Sequence, residues 1–191
     1  MKTILRPALV LFLLLSLICG VLYPLSITGI GKLVFASKTD GSLVANASGP
    51  VGSVLIGQEF SSPQYFWGRL SATSPMPYNA TASSGSNLGP TNPALLDEVK
   101  GRITALKAAD PGNATPVPID LATSSGSGLD PEITLAAAYY QVGRVSRVRN
   151  RNQAEVRQLI DNLATPQRFG FFGEARVNVL ALNMALDQSP K

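Results

Sequence analysis

Hydrophobic positions fall into two regimes along the chain. Positions 7 to 31, between Arg6 and Lys32, carry no charge and are dominated by Leu, Ile and Val. A helix rising about 1.5 Å per residue over that stretch outreaches the roughly 30 Å hydrocarbon core of a bilayer. The pattern predicts a retained transmembrane helix over 7–29, with Leu9, Leu13, Leu17, Val21, Tyr23 and Pro24 as anchor residues. A cytoplasmic tail at 1–6 and one mixed α/β extracytoplasmic domain over 30–191 complete the expected organisation. The rival reading is a cleaved signal peptide, with Lys2 and Arg6 as its basic start and Val34-Phe35-Ala36 as a cleavage site. A signal's apolar core spans about 7 to 15 residues, however, and this run is longer. Around Cys19 a lipoprotein signal fits poorly, because Ile18 stands where a small residue is needed. Lys2 and Arg6 are balanced by Lys32 and Lys38 across the segment, so orientation rests on the short basic tail staying inside.

Past the apolar run the periodicity becomes that of a globular protein. Gly52-Ser-Val-Leu-Ile-Gly57 reads as a short buried strand between glycines. A long stretch rich in Ser, Gly, Asn and Pro follows from Ser61 to Pro93, interrupted by Tyr65-Phe66-Trp67. Loops of that length are usually functional or disordered, and an aromatic cluster argues against disorder. Asn92 or Thr91 caps a helix from Pro93 to about Ala109, with Leu95, Leu96, Val99, Ile103 and Leu106 at spacings of three and four. Val117-Pro-Ile-Asp-Leu121 reads as an edge strand. Asp130 before Pro131 reads as the N-cap of a helix running to Arg149. Asn152, with Glu155 three residues on, predicts a capping box for a third helix carrying Val156, Leu159, Ile160 and Leu163. The last segment, Arg176 to Asp187, suits helix better than strand.

Composition narrows the chemistry. The chain has 16 basic and 12 acidic residues and no histidine. Without Lys2 and Arg6 the remainder is close to neutral, which excludes the electrostatic footprint of nucleic-acid binding. Without histidine there is no Ser/His/Asp triad, and the Ser-x-x-Lys helix start of a Ser-Lys dyad is missing. The carboxylates sit in settings that suit caps and helix surfaces. Ser83-Ser-Gly-Ser-Asn87 and Ser124-Ser-Gly-Ser-Gly128 lack both the P-loop ending and the dinucleotide fingerprint, and read as tight turns. Arg144, Arg147 and Arg151 form a basic stripe, read as a solvated face with docking to an acidic partner or lipid headgroups as the alternative. The residues thus point to no catalytic, cofactor-binding or metal site. With a single cysteine there is also no intrachain disulfide.

Several short motifs carry a resemblance when taken in order. They are Gly20-Val-Leu-Tyr-Pro-Leu25, Gly41-Ser-Leu43, Gly52-Ser-Val-Leu-Ile-Gly-Gln-Glu-Phe60, Tyr65-Phe66 with Arg69 and Ser71, Tyr78-Asn79, Gly85-Ser-Asn-Leu-Gly-Pro90, Ser125-Gly-Ser-Gly-Leu-Asp-Pro131, and Val177-Asn-Val-Leu with Leu182-Asn183. The chain resembles the C subunit of the Kdp-type potassium-transporting P-type ATPase. Two departures are visible: Leu70 stands between Arg69 and Ser71 where the family has proline, and a Gly-Gly pair is reduced to Ser84-Gly85. The resemblance implies an accessory, non-catalytic subunit of a bacterial inner-membrane complex that handles ATP and potassium while this chain binds neither independently. Its implied partners are a channel-like A subunit, an ATP-hydrolysing B subunit and a small F subunit, besides membrane lipid. It also implies that the subunit raises the B subunit's ATP affinity as a catalytic chaperone, an effect expected to be indirect if the domain faces outward. The competing expectation is a membrane-tethered periplasmic ligand-binding or interaction domain unrelated to a pump. Within the loop from Tyr65 to Pro90, Tyr65, Phe66, Arg69, Gly85, Ser86 and Asn87 are the candidate partner contacts.

Overall fold

The computed structural model describes residues 2–46 and 49–188. Met1, the start of the expected tail, lies outside them, as do positions 47, 48 and 189–191 of the expected domain. Contacts divide the chain into two units, residues 1–51 and 52–191.

The first unit is led by a long apolar helix. It comprises α1 (Lys2–Leu17), a π-helical turn (Ile18–Leu22) and α2 (Tyr23–Val34). The stretch Thr3–Val34 is long and apolar enough to cross a membrane, and its most apolar window has none of its residues buried. The helix thus extends past the expected 7–29 span at both ends. Proline lacks an amide hydrogen and its ring crowds the carbonyl four residues back. The π turn ends at Leu22, two residues before Pro24, and contains Gly20, the residue four back. Widening the helix there accommodates the ring without ending the helix. A short α3 (Ala36–Thr39) and two paired strands, β1 (Leu43–Asn46) and β2 (Gly49–Ser53), follow.

The expected strand at 52–57 is overturned. β2 ends at Ser53, and the Val54–Ile56 segment turns, leaving Leu55 exposed. The Ser53 hydroxyl accepts the Leu55 amide, closing a local turn that competes with extended pairing.

The second unit is built around α6 (Leu135–Arg149), which packs on α7 (Gln153–Leu163), itself packed on α8 (Val179–Gln188). β3 (Glu132–Thr134) and β4 (Arg176–Asn178) pair antiparallel with Ile133 opposite Val177. Both central residues are buried while their neighbours are only half-buried, as a period of two requires. Their contacts join Ala137, Val142, Val145, Val156, Ile160, Leu182 and Leu186 in one core. α4 (Pro93–Ala109) starts as expected, its Asn92 cap accepting the Ala94 amide. Of its apolar stripe only Leu106 is buried, and Leu96 is exposed.

Three further expectations are corrected. Residues 117–121 are no strand: α5 (Ile119–Ala122) forms after Pro118, burying Leu121 and Ala122 and turning Ile119 outward. A strand would have put Ile119 and Leu121 on one face. Asp130 does not cap α6. Its Oδ1 accepts the Glu132 amide and β3 intervenes, so Thr134 is the cap, accepting the Ala137 amide. Strand pairing with a segment more than 40 residues away decided that start. Asn152 does cap α7, accepting the Ala154 amide, but Glu155 pairs with Arg151 instead of closing a capping box. The final segment is both things in turn, β4 and then α8, where helix was the better expectation.

Candidate functional site

The loop carrying the expected docking residues is held from within. Phe66 is fully buried and Trp67 nearly so. Two amide side chains on different helices grip their backbone as a neighbouring strand would. Asn183 of α8 accepts the Phe66 amide at 2.8 Å and donates to its carbonyl at 3.0 Å. Gln141 of α6 does the same for Trp67, at 2.8 and 3.1 Å. Each pair satisfies backbone groups that burial would otherwise leave unpaired.

Arg144 completes the clamp. It is 2% exposed, donates to the carbonyls of Pro63 and Tyr65 and to Gln141 Oε1, and lies 4.7 Å from the Trp67 ring centroid. Burial draws its guanidinium down to about 10. The expected basic stripe is therefore overturned as one solvated face. Arg144 is interior, Arg147 pairs with the buried Asp110 at 2.7 Å, and Arg151 pairs with Glu155. Tyr65 is half-buried: its hydroxyl donates to Asp187, its ring lies under Arg149, and Arg149 in turn pairs with Asp187. Phe66 thus presents no ring to a partner in this structure, whereas Tyr65 keeps a surface edge.

Farther along, the two Ser/Gly segments zip together. The Ser84 amide and the Ser83 hydroxyl both donate to the Ser127 carbonyl. Gly128, at φ +68°, fits because a Cβ there would stand 2.6 Å from the Ser84 carbonyl and 2.5 Å from Thr73 Cγ2. Neither segment forms a turn that directly enters a capped helix. Arg69 is anchored to Asp130 and to the Ser124 carbonyl. Gly85 and Ser86 are half-buried, and Asn87 is exposed with its amide folded back on the Gly85 carbonyl. Tyr78 donates to the Arg69 carbonyl at 2.5 Å, and burial pushes its phenol up to about 12. All six expected contact residues are in place, but most of their polar groups serve the domain itself. The anchor residues Leu9, Leu13, Leu17, Val21 and Tyr23 are exposed along the first unit's helix, and Pro24 follows the π turn.

Chemical candidates are correspondingly sparse. Among the described residues no group of three or more carboxylates or cysteines is placed to hold a metal ion. An open groove of about 830 Å³ runs past Tyr139, Tyr140, Gly143 and Arg157. Tyr139 hydrogen-bonds Asp161 and Arg157 lies over the Tyr139 ring, whereas the buried Tyr140 hydroxyl has no hydrogen-bond partner among the described residues. One surface feature escaped the sequence reasoning. Phe169, Phe171 and Phe172 are 87%, 72% and 62% exposed, on the loop leading into β4. The signal was present as an aromatic run between glycines, Phe169-Gly-Phe-Phe-Gly173.

Comparison with known proteins bears on the whole chain. Residues 5–188 match the family model described as KdpC: K+-transporting ATPase, c chain. The chain belongs to this family. It is 68% identical over 188 residues to the potassium-transporting ATPase KdpC subunit of Janthinobacterium sp. (strain Marseille), covering 98% of this chain and 100% of the relative. The corresponding protein of Herminiimonas arsenicoxydans is 67% identical, with 98% and 99% covered. That of Dechloromonas aromatica is 58% identical over the full length of both. The resemblance read from the motifs is thus confirmed, and with it an accessory place in potassium transport.

Proposed function

We propose that this chain is the accessory subunit of an ATP-driven potassium importer, anchored by its first helix with the second unit outside the cytoplasm. The observation that carries the reading is the end-to-end family match, joined to an apolar helix of membrane-spanning length. Its partners are the channel-like A subunit, the ATP-hydrolysing B subunit and the small F subunit. It stabilises their assembly and raises the ATP affinity of the B subunit. With the domain outside, it does so without touching nucleotide, by binding one conformation of the pump better than another. The clamped loop favours this view, since Gln141, Asn183 and Arg144 are spent on backbone carbonyls, amides and one another.

The test compares the complex purified with and without this chain. Adding it should lower the ATP concentration for half-maximal hydrolysis without creating hydrolysis in the isolated chain. A reporter joined after residue 191 should be active only if it works outside the cytoplasm. Cytoplasmic activity would reverse the topology, and failure to co-purify with an ATPase would favour the unrelated tethered domain.

A further inference from the structure

Pro24 leaves the first unit's helix one donor short, and the π turn decides which carbonyl goes without. The Tyr23 amide donates to the Ile18 carbonyl, five residues back. In a regular α-helix that amide would go to Cys19, four back. A widened turn would instead bring the Cys19 carbonyl the amide five residues on. That position is Pro24, which has no amide hydrogen. The Cys19 carbonyl is therefore left without a donor from its own helix, and among the described residues no side chain donates to it. Gly20 stands beside it with no side chain to cover the backbone, and a Cβ there would meet no atom within 4 Å. In water such a carbonyl would simply be hydrated. Here it lies near the middle of Thr3–Val34, the stretch of membrane-spanning length whose most apolar window has none of its residues buried. A backbone group left unpaired in hydrocarbon costs several kcal/mol.

We propose that the Cys19 carbonyl and the bare backbone at Gly20 form a docking point for a transmembrane helix of another subunit of the pump, one carrying a hydroxyl or side-chain amide donor at this depth. This rests on the accessory, membrane-spanning reading above. Lipid tails offer no donor, so the bilayer alone does not satisfy the group. A second copy of this helix, parallel in the same membrane, brings Cys19, Gly20 and Val21 to this level. Of their side chains only the Cys19 thiol donates, and weakly. A Ser, Thr, Asn or Gln on a different helix meets the need, and the missing side chain at Gly20 lets the two backbones approach closely enough for the bond. Ser16 and Pro24 extend the same face, four residues to either side of Gly20.

Cys19 is the chain's single cysteine, so cysteine carrying carbon-13 at its carbonyl labels this one group. The labelled full chain is combined with the unlabelled remaining pump subunits in nanodiscs, and its carbonyl resonance is compared with that of the chain alone in the same lipid. A hydrogen bond moves the resonance downfield. The downfield shift should appear on assembly of the wild type and be absent in Gly20→Leu. Retention of Gly20→Leu through detergent purification should fall roughly fivefold, the worth of one interhelical hydrogen bond, with melting of the chain unchanged because the new side chain meets no atom of this chain. Leu11→Phe, nine residues back on the opposite side of the helix, should be retained like the wild type. Pro24→Ala restores the missing amide and should abolish the shift on assembly. An assembled wild type whose resonance does not move overturns the proposal. A downfield position already present in the chain alone also overturns it, since only water or a second copy could donate there. So does retention of Gly20→Leu equal to that of the wild type. If the wild-type chain itself fails to co-purify with the ATPase, the accessory-subunit reading falls and this inference falls with it. If the wild type is retained and its resonance stays in place, this inference alone is lost.

Discussion

Two aromatic clusters of the second unit have opposite fates. Tyr65-Phe66-Trp67 lies in a long polar loop yet is drawn inside, while Phe169, Phe171 and Phe172 are left in water. Hydrophobicity does not separate them, since the exposed cluster is the more apolar. What separates them is the backbone. A buried loop needs partners for its amides and carbonyls, and Gln141, Asn183 and Arg144 provide them at 65–67. The hairpin at 165–176 satisfies part of its own backbone through its rungs, so nothing draws it inward. A cluster is interior where other elements complete its hydrogen bonding, and exterior where a hairpin completes its own.

The largest effect that could break this comparison is a pair of truncations in the detergent-solubilised chain. Phe66→Ala should cost about 3–5 kcal/mol in denaturant unfolding, and Phe171→Ala no more than about 0.5 kcal/mol. Equal costs would show that the hairpin rings are core in solution. Next, Gln141→Leu keeps the bulk but strands the Trp67 amide and carbonyl, and should cost about 2–3 kcal/mol. Hydrogen exchange should then speed up at the Trp67 amide and stay the same at Phe172. A protected Trp67 amide would mean the clamp is not what holds the loop.

A pH experiment sharpens the same contrast. The Tyr78 phenol is held up at about 12 by burial, against an ordinary value near 10. Its neutral form is favoured in the folded state, so its stabilisation is complete below pH 10 and is lost as pH rises from 10 through 12. Two units correspond to on the order of 3 kcal/mol. Alkaline titration of stability should show that loss in the wild type and a flatter curve in Tyr78→Phe; parallel curves would place the phenol in solvent. The smallest effect is expected at the turn. Gly170→Ala meets no atom within 4 Å, so only its φ of +79° matters, and the cost should be about 1 kcal/mol. A much larger loss would show the tip is packed against something in the isolated chain.

Local signals in the chain did determine a good deal: the apolar helix, from a charge-free run longer than a bilayer is thick, and the caps Asn92 and Asn152, whose side chains act within two residues. The ordered motifs were enough for family. The tertiary structure alone decided the rest, because each remaining choice depended on a partner distant in sequence. Asp130 had every local mark of a cap, yet pairing of Glu132–Thr134 with Arg176–Asn178 moved the cap to Thr134. Arg144 had the spacing of a surface charge, yet it is interior because carbonyls some 80 residues away turn toward it. Three exposed phenylalanines looked like any apolar run until their neighbours were in place. Burial is a property of the surroundings, and a linear pattern reports only the residue's own preference for it.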